Sequence, residues 1–263
     1  MASPNVHDDA QERERLFRLF QIEKYHRRRA VPSVSMTIDI DVTDLQARRR
    51  QLNAGVAESH RVTLTHLLIK VVSLALMDFP ILYSLFNGRR IVPSKQIRIN
   101  IPVAADNHVE YVIVKGPDTK SIREITEEVR AGADKVRLGV GDFYLRLKAL
   151  FRFPRFLRLA ITNFMPLATR LAYKSYGNFP ITNFGSFGVK NGTPVLSTPM
   201  IAVLCCGMIQ TGTRVRSDGT TEPTEILPVT LVFDHRPIDG AYGGNFLVRL
   251  KKLMEAPPAD IFV

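Results

Sequence analysis

An apolar run from Ile226 to Phe233 stops abruptly at the polar pair Asp234 and His235, and this boundary constrains the fold more than any other feature. The run is short and rich in Val and Leu, which suits a buried strand. After it come a turn containing Pro237, then Asp239 and Gly240. A helical apolar pattern follows from Asp239 to Met254, with Phe246, Leu247, Leu250 and Leu253 on one side. The chain therefore presents a histidine at the mouth of a rigid strand, a common place for a chemical group. A carboxylate lies four residues on. An imidazole titrates near pH ~6.5 and can accept a proton from a thiol or hydroxyl. On spacing alone, a loop histidine beside a helix-capping Asp fits equally well.

Phe179–Phe184 and Met200–Gly207 read as two further buried strands, with Gly185, Gly188 and Gly192 as turns between them. Arg214–Thr221 reads as a polar loop before the last strand. Earlier, Val34, Met36, Ile38, Ile40 and Val42 alternate with polar residues, the pattern of a half-buried strand. Thr43 or Asp44 caps a basic helix that ends near Gly55. Thr63–Asp78 is a strong helix with His66 and Lys70 on its solvent side, stopped by Pro80. Asn87-Gly88 is a tight turn between short strands. Ile97–Ala104 and Val109–Val114 are strands around Asp106-Asn107, with His108 exposed in the turn. Ser121 and Glu124 form a capping box that opens a helix to about Val136. The sum is one α+β domain, residues 11–263, with a mixed sheet flanked by helices; it opens on a charged helix over Gln11–Arg29 and is preceded by a disordered segment 1–10.

One segment is unusual. Residues 141–176 hold seven Lys or Arg against one Asp, interleaved with Phe143, Leu147, Phe151, Phe153 and Phe156. Pro154 and Pro166 divide it into short helices. Packed helices with snorkelling basic side chains are favoured over an interfacial helix on an anionic membrane or a lid, because the apolar residues form no single stripe.

The net charge of +11 calls for a reason. Zinc spacings, helix-turn-helix patterns and aromatic-studded basic strands are absent, which argues against nucleic acid and against a bound metal. Phosphates of a cofactor or an acidic partner would explain it. Cys205 and Cys206 are adjacent on a strand, so they point to opposite faces and stay unbonded. They suit the reducing cytoplasm. The charged first thirty residues predict no secretory leader, and no run of about eighteen apolar residues predicts a membrane span.

The string Asp234-His235-Arg236-Pro237-Ile238-Asp239-Gly240 resembles the catalytic signature of dihydrolipoamide acyltransferases, the core components of 2-oxo acid dehydrogenase complexes, and of the chloramphenicol acetyltransferase superfamily. Asn178–Gly188 and Thr193–Met200 resemble two further blocks of that family, and Thr65–Leu76 and Ile97–Lys120 follow its order of elements. Pro180 and Phe184 depart from the family pattern, and 141–176 is longer than its usual connection.

The resemblance implies a chloramphenicol acetyltransferase-like fold and a homotrimer with active sites between subunits. It implies transfer of an acyl group between coenzyme A, as substrate, and a dihydrolipoyl thiol. By resemblance, His235 is the general base, the Thr182 hydroxyl stabilises the oxyanion with Asn183 beside it, Asp239 holds the histidine loop, and Gly240 contacts substrate. The lipoyl group would come in trans from a lipoyl-domain protein, and 2-oxo acid dehydrogenase subunits would be partners. The alternatives are a hydroxyl or amine acceptor, and a non-catalytic trimeric scaffold. The apolar end, Asp260–Val263, resembles tails that join trimers into cages.

Overall fold

The computed structural model describes residues 6–25, 31–105, 108–164, 176–215 and 218–262. A seven-stranded mixed sheet forms its centre. The strands are β1 (Ser33–Asp41), β4 (Arg98–Ala105), β5 (His108–Lys115), β6 (Phe179–Asn183), β7 (Ala202–Cys206), β8 (Gln210–Val215) and β9 (Thr221–Asp234). Their order is β1-β9-β7-β6-β4-β5, and β8 pairs with the first half of β9. The β4–β6 and β6–β7 pairs are parallel and the others antiparallel. A separate hairpin joins β2 (Leu85–Phe86) to β3 (Ile91–Val92). At its tip the Asn87 side chain accepts from the amides of Arg89 and Arg90, and Gly88 takes φ 91°.

The helices are α1 (Val6–Tyr25), α2 (Thr43–Leu52), α3 (Leu64–Met77), α4 (Ile122–Arg137), α5 (Asp142–Leu150), α6 (Arg155–Phe164) and α7 (Gly240–Glu255). Helix α7 lies on β1 with α3 beside it, and α4 covers β4 and β5. Ile181, Leu204, Leu231 and Phe233 from the sheet meet Leu67, Val71, Phe246 and Leu250 from these helices in the main core. At Gly243 of α7 an added Cβ would lie 2.8 Å from the Phe233 ring, so glycine lets this helix close on the strand that ends at His235.

A second, aromatic core sits over β5. Phe17 and Phe20 of α1 pack on Phe143, Tyr144 and Leu147 of α5. Arg158 of α6 ties to Glu23 of α1 at 2.7 Å. Within 141–176, α5 packs on α1 and β5 and α6 touches α1, whereas Phe153 and Phe156 of the expected packed set are exposed. Pro154 precedes α6, while Pro166 lies outside the described residues.

Several expectations need correction. The N-terminal helix starts at Val6, inside the segment 1–10 expected to be disordered. The expected loop Arg214–Thr221 narrows to a turn between paired strands: β8 runs to Val215 and β9 starts at Thr221. Its residues are too polar to show an apolar pattern, and Gly219 at φ 81° makes the turn. His66 and Lys70 are buried, because α4 covers that side of α3. The Thr63 amide donates to His66 Nδ1 at 3.1 Å, and Lys70 Nζ donates to the Asp118 and Lys120 carbonyls at 2.9 and 2.7 Å. Burial, with the Arg130 charge, lowers the His66 pKa to about 4. His108 is buried in β5, stacked on Phe17 at 4.5 Å and 3.4 Å from buried Glu110, whose pKa burial raises. The stretch Glu58–Met77 is long and apolar enough to cross a membrane by composition, but its α3 portion is enclosed in the main core.

Candidate active site

The strand β9 delivers His235 to the surface with its backbone held. The amide of Asp234 donates to the Ile201 carbonyl at 2.9 Å, and that of His235 to the Pro32 carbonyl at 2.8 Å. The ring itself is exposed, 6.1 Å from the Phe233 ring. Asp234 is buried and grips Arg236 with both carboxylate oxygens: Arg236 Nη2 donates to Oδ2 at 2.6 Å and Nε to Oδ1 at 2.9 Å. Arg236 also stacks over the Phe86 ring at 5.0 Å. This clamp spans the histidine, fixing both its neighbours. Sequence reasoning missed it, although the Asp-x-Arg spacing on either side of His235 was its visible signal. The charge-assisted pair also holds the Arg236 pKa above its ordinary value.

Asp239 is exposed and caps α7, accepting from the Tyr242 amide at 2.9 Å. Its carboxylate fixes where the helix begins, four residues beyond the ring. Gly240 opens α7; a Cβ there would meet nothing within 4 Å, so nothing within one chain demands glycine.

Thr182 lies elsewhere. In register across the sheet, Thr37 of β1 faces Thr230 of β9, Thr230 faces Cys205 of β7, and Cys205 faces Thr182 of β6. This row occupies the side away from the main core; the neighbouring Ile181, Leu204 and Leu231 point into it. Thr37 and Thr230 hydroxyls are 2.9 Å apart. Burial raises the Cys205 pKa to about 11, so it remains a thiol. Asn183 ends β6; its Nδ2 donates to Thr65 Oγ1 at 3.3 Å, and its buried Oδ1 has no partner among the described residues.

Register sets the distance between the two candidate groups. His235 is five residues past Thr230, about 16 Å along the strand, and β9 is two strand spacings, about 10 Å, from β6. The ring and the hydroxyl of one chain are therefore roughly 20 Å apart. One chain cannot bring both to the same reacting carbon.

A cavity of about 450 Å³ opens at Thr182 and Asn183. Ile101, Pro102, Tyr111, Tyr176 and Val203 supply much of its wall, and no charged side chain lines it among the described residues. His235 is not part of this wall.

Comparison with known proteins places the chain in a family. The family model described as 2-oxoacid dehydrogenases acyltransferase (catalytic domain) matches residues 23–140 and 170–262. The chain is 32% identical to the dihydrolipoyllysine-residue acetyltransferase component of the pyruvate dehydrogenase complex of Bacillus subtilis, over 86% of this chain and 45% of that protein. It spans about half the length of the curated relatives it matches. The fold is similar to that of dihydrolipoamide acetyltransferase from Azotobacter vinelandii, with a TM-score of 0.73 at 21% identity, covering 92% of this chain and 89% of that one. It is also similar to the cubic core of a pyruvate dehydrogenase multienzyme complex, with a TM-score of 0.72 at 22% identity, covering 92% and 89%. The mixed sheet with its flanking helices is thus that of acyltransferase cores, and the chain belongs to the 2-oxoacid dehydrogenase acyltransferase catalytic-domain family.

Proposed function

We propose that this chain catalyses acyl transfer between coenzyme A and the thiol of a dihydrolipoyl arm carried by a separate domain, at sites shared between copies of a homotrimer. The observation that carries the reading is the separation of roughly 20 Å between His235 and Thr182 within one chain. It argues for the ring of one copy meeting the Thr182 pocket of the next. Relatives are components of multienzyme complexes, which supports an oligomeric core with 2-oxo acid dehydrogenase subunits as partners. Free, buried Cys205 and Cys206 support a cytoplasmic location.

In this reading the His235 imidazole takes the proton of the acceptor thiol. The thiolate attacks the thioester carbon of acyl-coenzyme A, and the carbonyl electrons move to oxygen. Thr182 donates a hydrogen bond to that oxyanion, with the Asn183 side chain adjacent. Collapse reforms the carbonyl, the coenzyme A sulfur leaves with the bond electrons, and the imidazolium returns the proton to it. A positioned base contributes roughly 10²–10⁴-fold and an oxyanion donor roughly 10²–10³-fold. The Asp234–Arg236 clamp and the Asp239 cap hold the turn, so that the ring meets substrate without reorganisation. The +11 charge favours approach of the coenzyme A phosphates.

The test is complementation. His235→Ala and Thr182→Val chains are each expected to be nearly inactive in transfer from acyl-coenzyme A to dihydrolipoamide. Dissociated and reassembled together, about one interface in four pairs an intact ring with an intact hydroxyl, so activity returns. If mixed oligomers form and stay inactive, the shared site is wrong.

A further inference from the structure

The cavity at Thr182 carries information about the acyl group. Its wall is apolar side chains and neutral polar groups, with no Lys, Arg or His among the described lining residues. Two of its walls, Tyr111 of β5 and Tyr176, rest on one ring. Phe143 of α5 meets Tyr111 edge-on at 5.3 Å and 84°, and Tyr176 at 5.9 Å and 58°. Phe143 is backed by Phe17 and Phe20 of α1 at 5.5 and 5.7 Å. The Tyr176 carbonyl accepts from Asn100 Nδ2 at 2.8 Å, which holds that wall to β4. Phe143 lies in 141–169, the internal stretch that the family model leaves unmatched.

We propose that this cavity is the acyl pocket, that it selects apolar acyl groups larger than acetyl, and that Phe143 is the positioning residue that sets its size through Tyr111 and Tyr176. The proposal rests on the reading of Thr182 as oxyanion donor. With the carbonyl oxygen at the Thr182 hydroxyl, the acyl substituent on the same carbon starts at the cavity mouth. A volume of about 450 Å³ is some fifteen times the roughly 30 Å³ of a water molecule, so an acetyl methyl leaves most of it empty. A succinyl carboxylate would meet no cation from this chain's own lining, which apolar surroundings penalise. A branched or medium-length hydrocarbon fills the space, and each buried methylene is worth about fourfold, the equivalent of about 0.8 kcal/mol.

The experiment measures kcat/KM for acetyl-, isovaleryl-, hexanoyl- and succinyl-coenzyme A with dihydrolipoamide as acceptor. Hexanoyl is expected to exceed acetyl by roughly 10²-fold, and succinyl to be poorest. Phe143→Leu is expected to flatten the acyl preference about tenfold while leaving the KM for dihydrolipoamide unchanged. Val203→Met, which narrows the cavity from β7, is expected to shorten the preferred acyl group, and serves if the first variant does not fold. Preference for acetyl or succinyl overturns the proposal. So does a Phe143 variant that alters the KM for dihydrolipoamide and not the acyl profile, because the cavity then belongs to the acceptor. If no acyl group is transferred, the proposed activity fails on its own. Calorimetry without acceptor then decides the pocket: hexanoyl-coenzyme A binding at least tenfold tighter than acetyl-coenzyme A supports it, and equal binding overturns it.

Discussion

The two sides of the central sheet differ in chemistry. On one side Ile181, Leu204 and Leu231 are fully buried under α3 and α7. On the other, the next residues along the same strands, Thr182, Cys205 and Thr230, form a row of hydroxyls and a thiol, with the cavity beside Thr182. A strand alternates sides with each residue, so stability and chemistry can be one residue apart and still be separate. The comparison teaches that substitutions at neighbouring positions should affect different observables. His235 belongs to neither side: it sits on the exposed turn beyond β9, where the ring is free to meet another copy.

The largest effect is expected at that turn. His235→Ala should lower kcat roughly 10²–10⁴-fold, with the thermal midpoint and oligomeric state unchanged, since the exposed ring fills no core volume. Normal turnover in this variant would remove the base. Next comes Thr182→Val, which keeps the branched shape and deletes the hydroxyl. It should lower kcat roughly 10²–10³-fold while KM for both substrates changes little, the pattern of an interaction made only in the transition state. Loss confined to KM would assign Thr182 to ground-state binding instead.

The covered side was legible in the sequence and the rest only partly so. Alternation in Val34–Val42 and the apolar runs before Asn183, Gly207 and Asp234 mark strands because burial on a defined side leaves a period. The Ser121 and Thr63 starts are readable because caps use local chemistry, although His66 filling the third position of its box was not foreseen. The Asp-His-Arg string located the ring. The second core was illegible. Its buried Arg13, Glu23, His108 and Glu110 look like solvated charges in a linear reading, and only the docking of α1, α5 and α6 around β5 encloses them. The cavity wall was hidden for the same reason, since Tyr111 and Tyr176 come together only through Phe143.

Under the covered side, His66 offers a pH test. Its folded pKa lies at about 4 against 6.5 for a free ring, chiefly through burial and then through Arg130. The folded state keeps the ring neutral, while the unfolded chain takes up a proton as pH falls through 6.5. Stability is therefore complete above that pH and declines toward about pH 4, by about 2 kcal/mol between pH 7 and 5 from this group. Urea unfolding of the native chain and of His66→Gln should diverge by this amount, since glutamine keeps the capping box and does not titrate. Glu110, with its raised pKa, slopes the other way in both chains and cancels in the difference. Equal slopes in the two chains would show that the ring is solvated.

The smallest effect makes the sharpest test of the two sides. Ile181 is fully buried in β6, and Thr182 follows it directly. Ile181→Val removes one methylene from the main core, so stability should fall by about 0.5–1.5 kcal/mol, a lowering of the thermal midpoint by a few degrees. Because the lost methylene faces α3 and α7, the backbone that aims the Thr182 hydroxyl keeps its pairing with β7 at Leu204 and Cys205. Turnover of the folded protein should then match the native chain within about twofold, far from the loss expected one residue on. A rate loss approaching that of Thr182→Val would mean that core packing transmits to the hydroxyl, and that the strand does not insulate one side from the other.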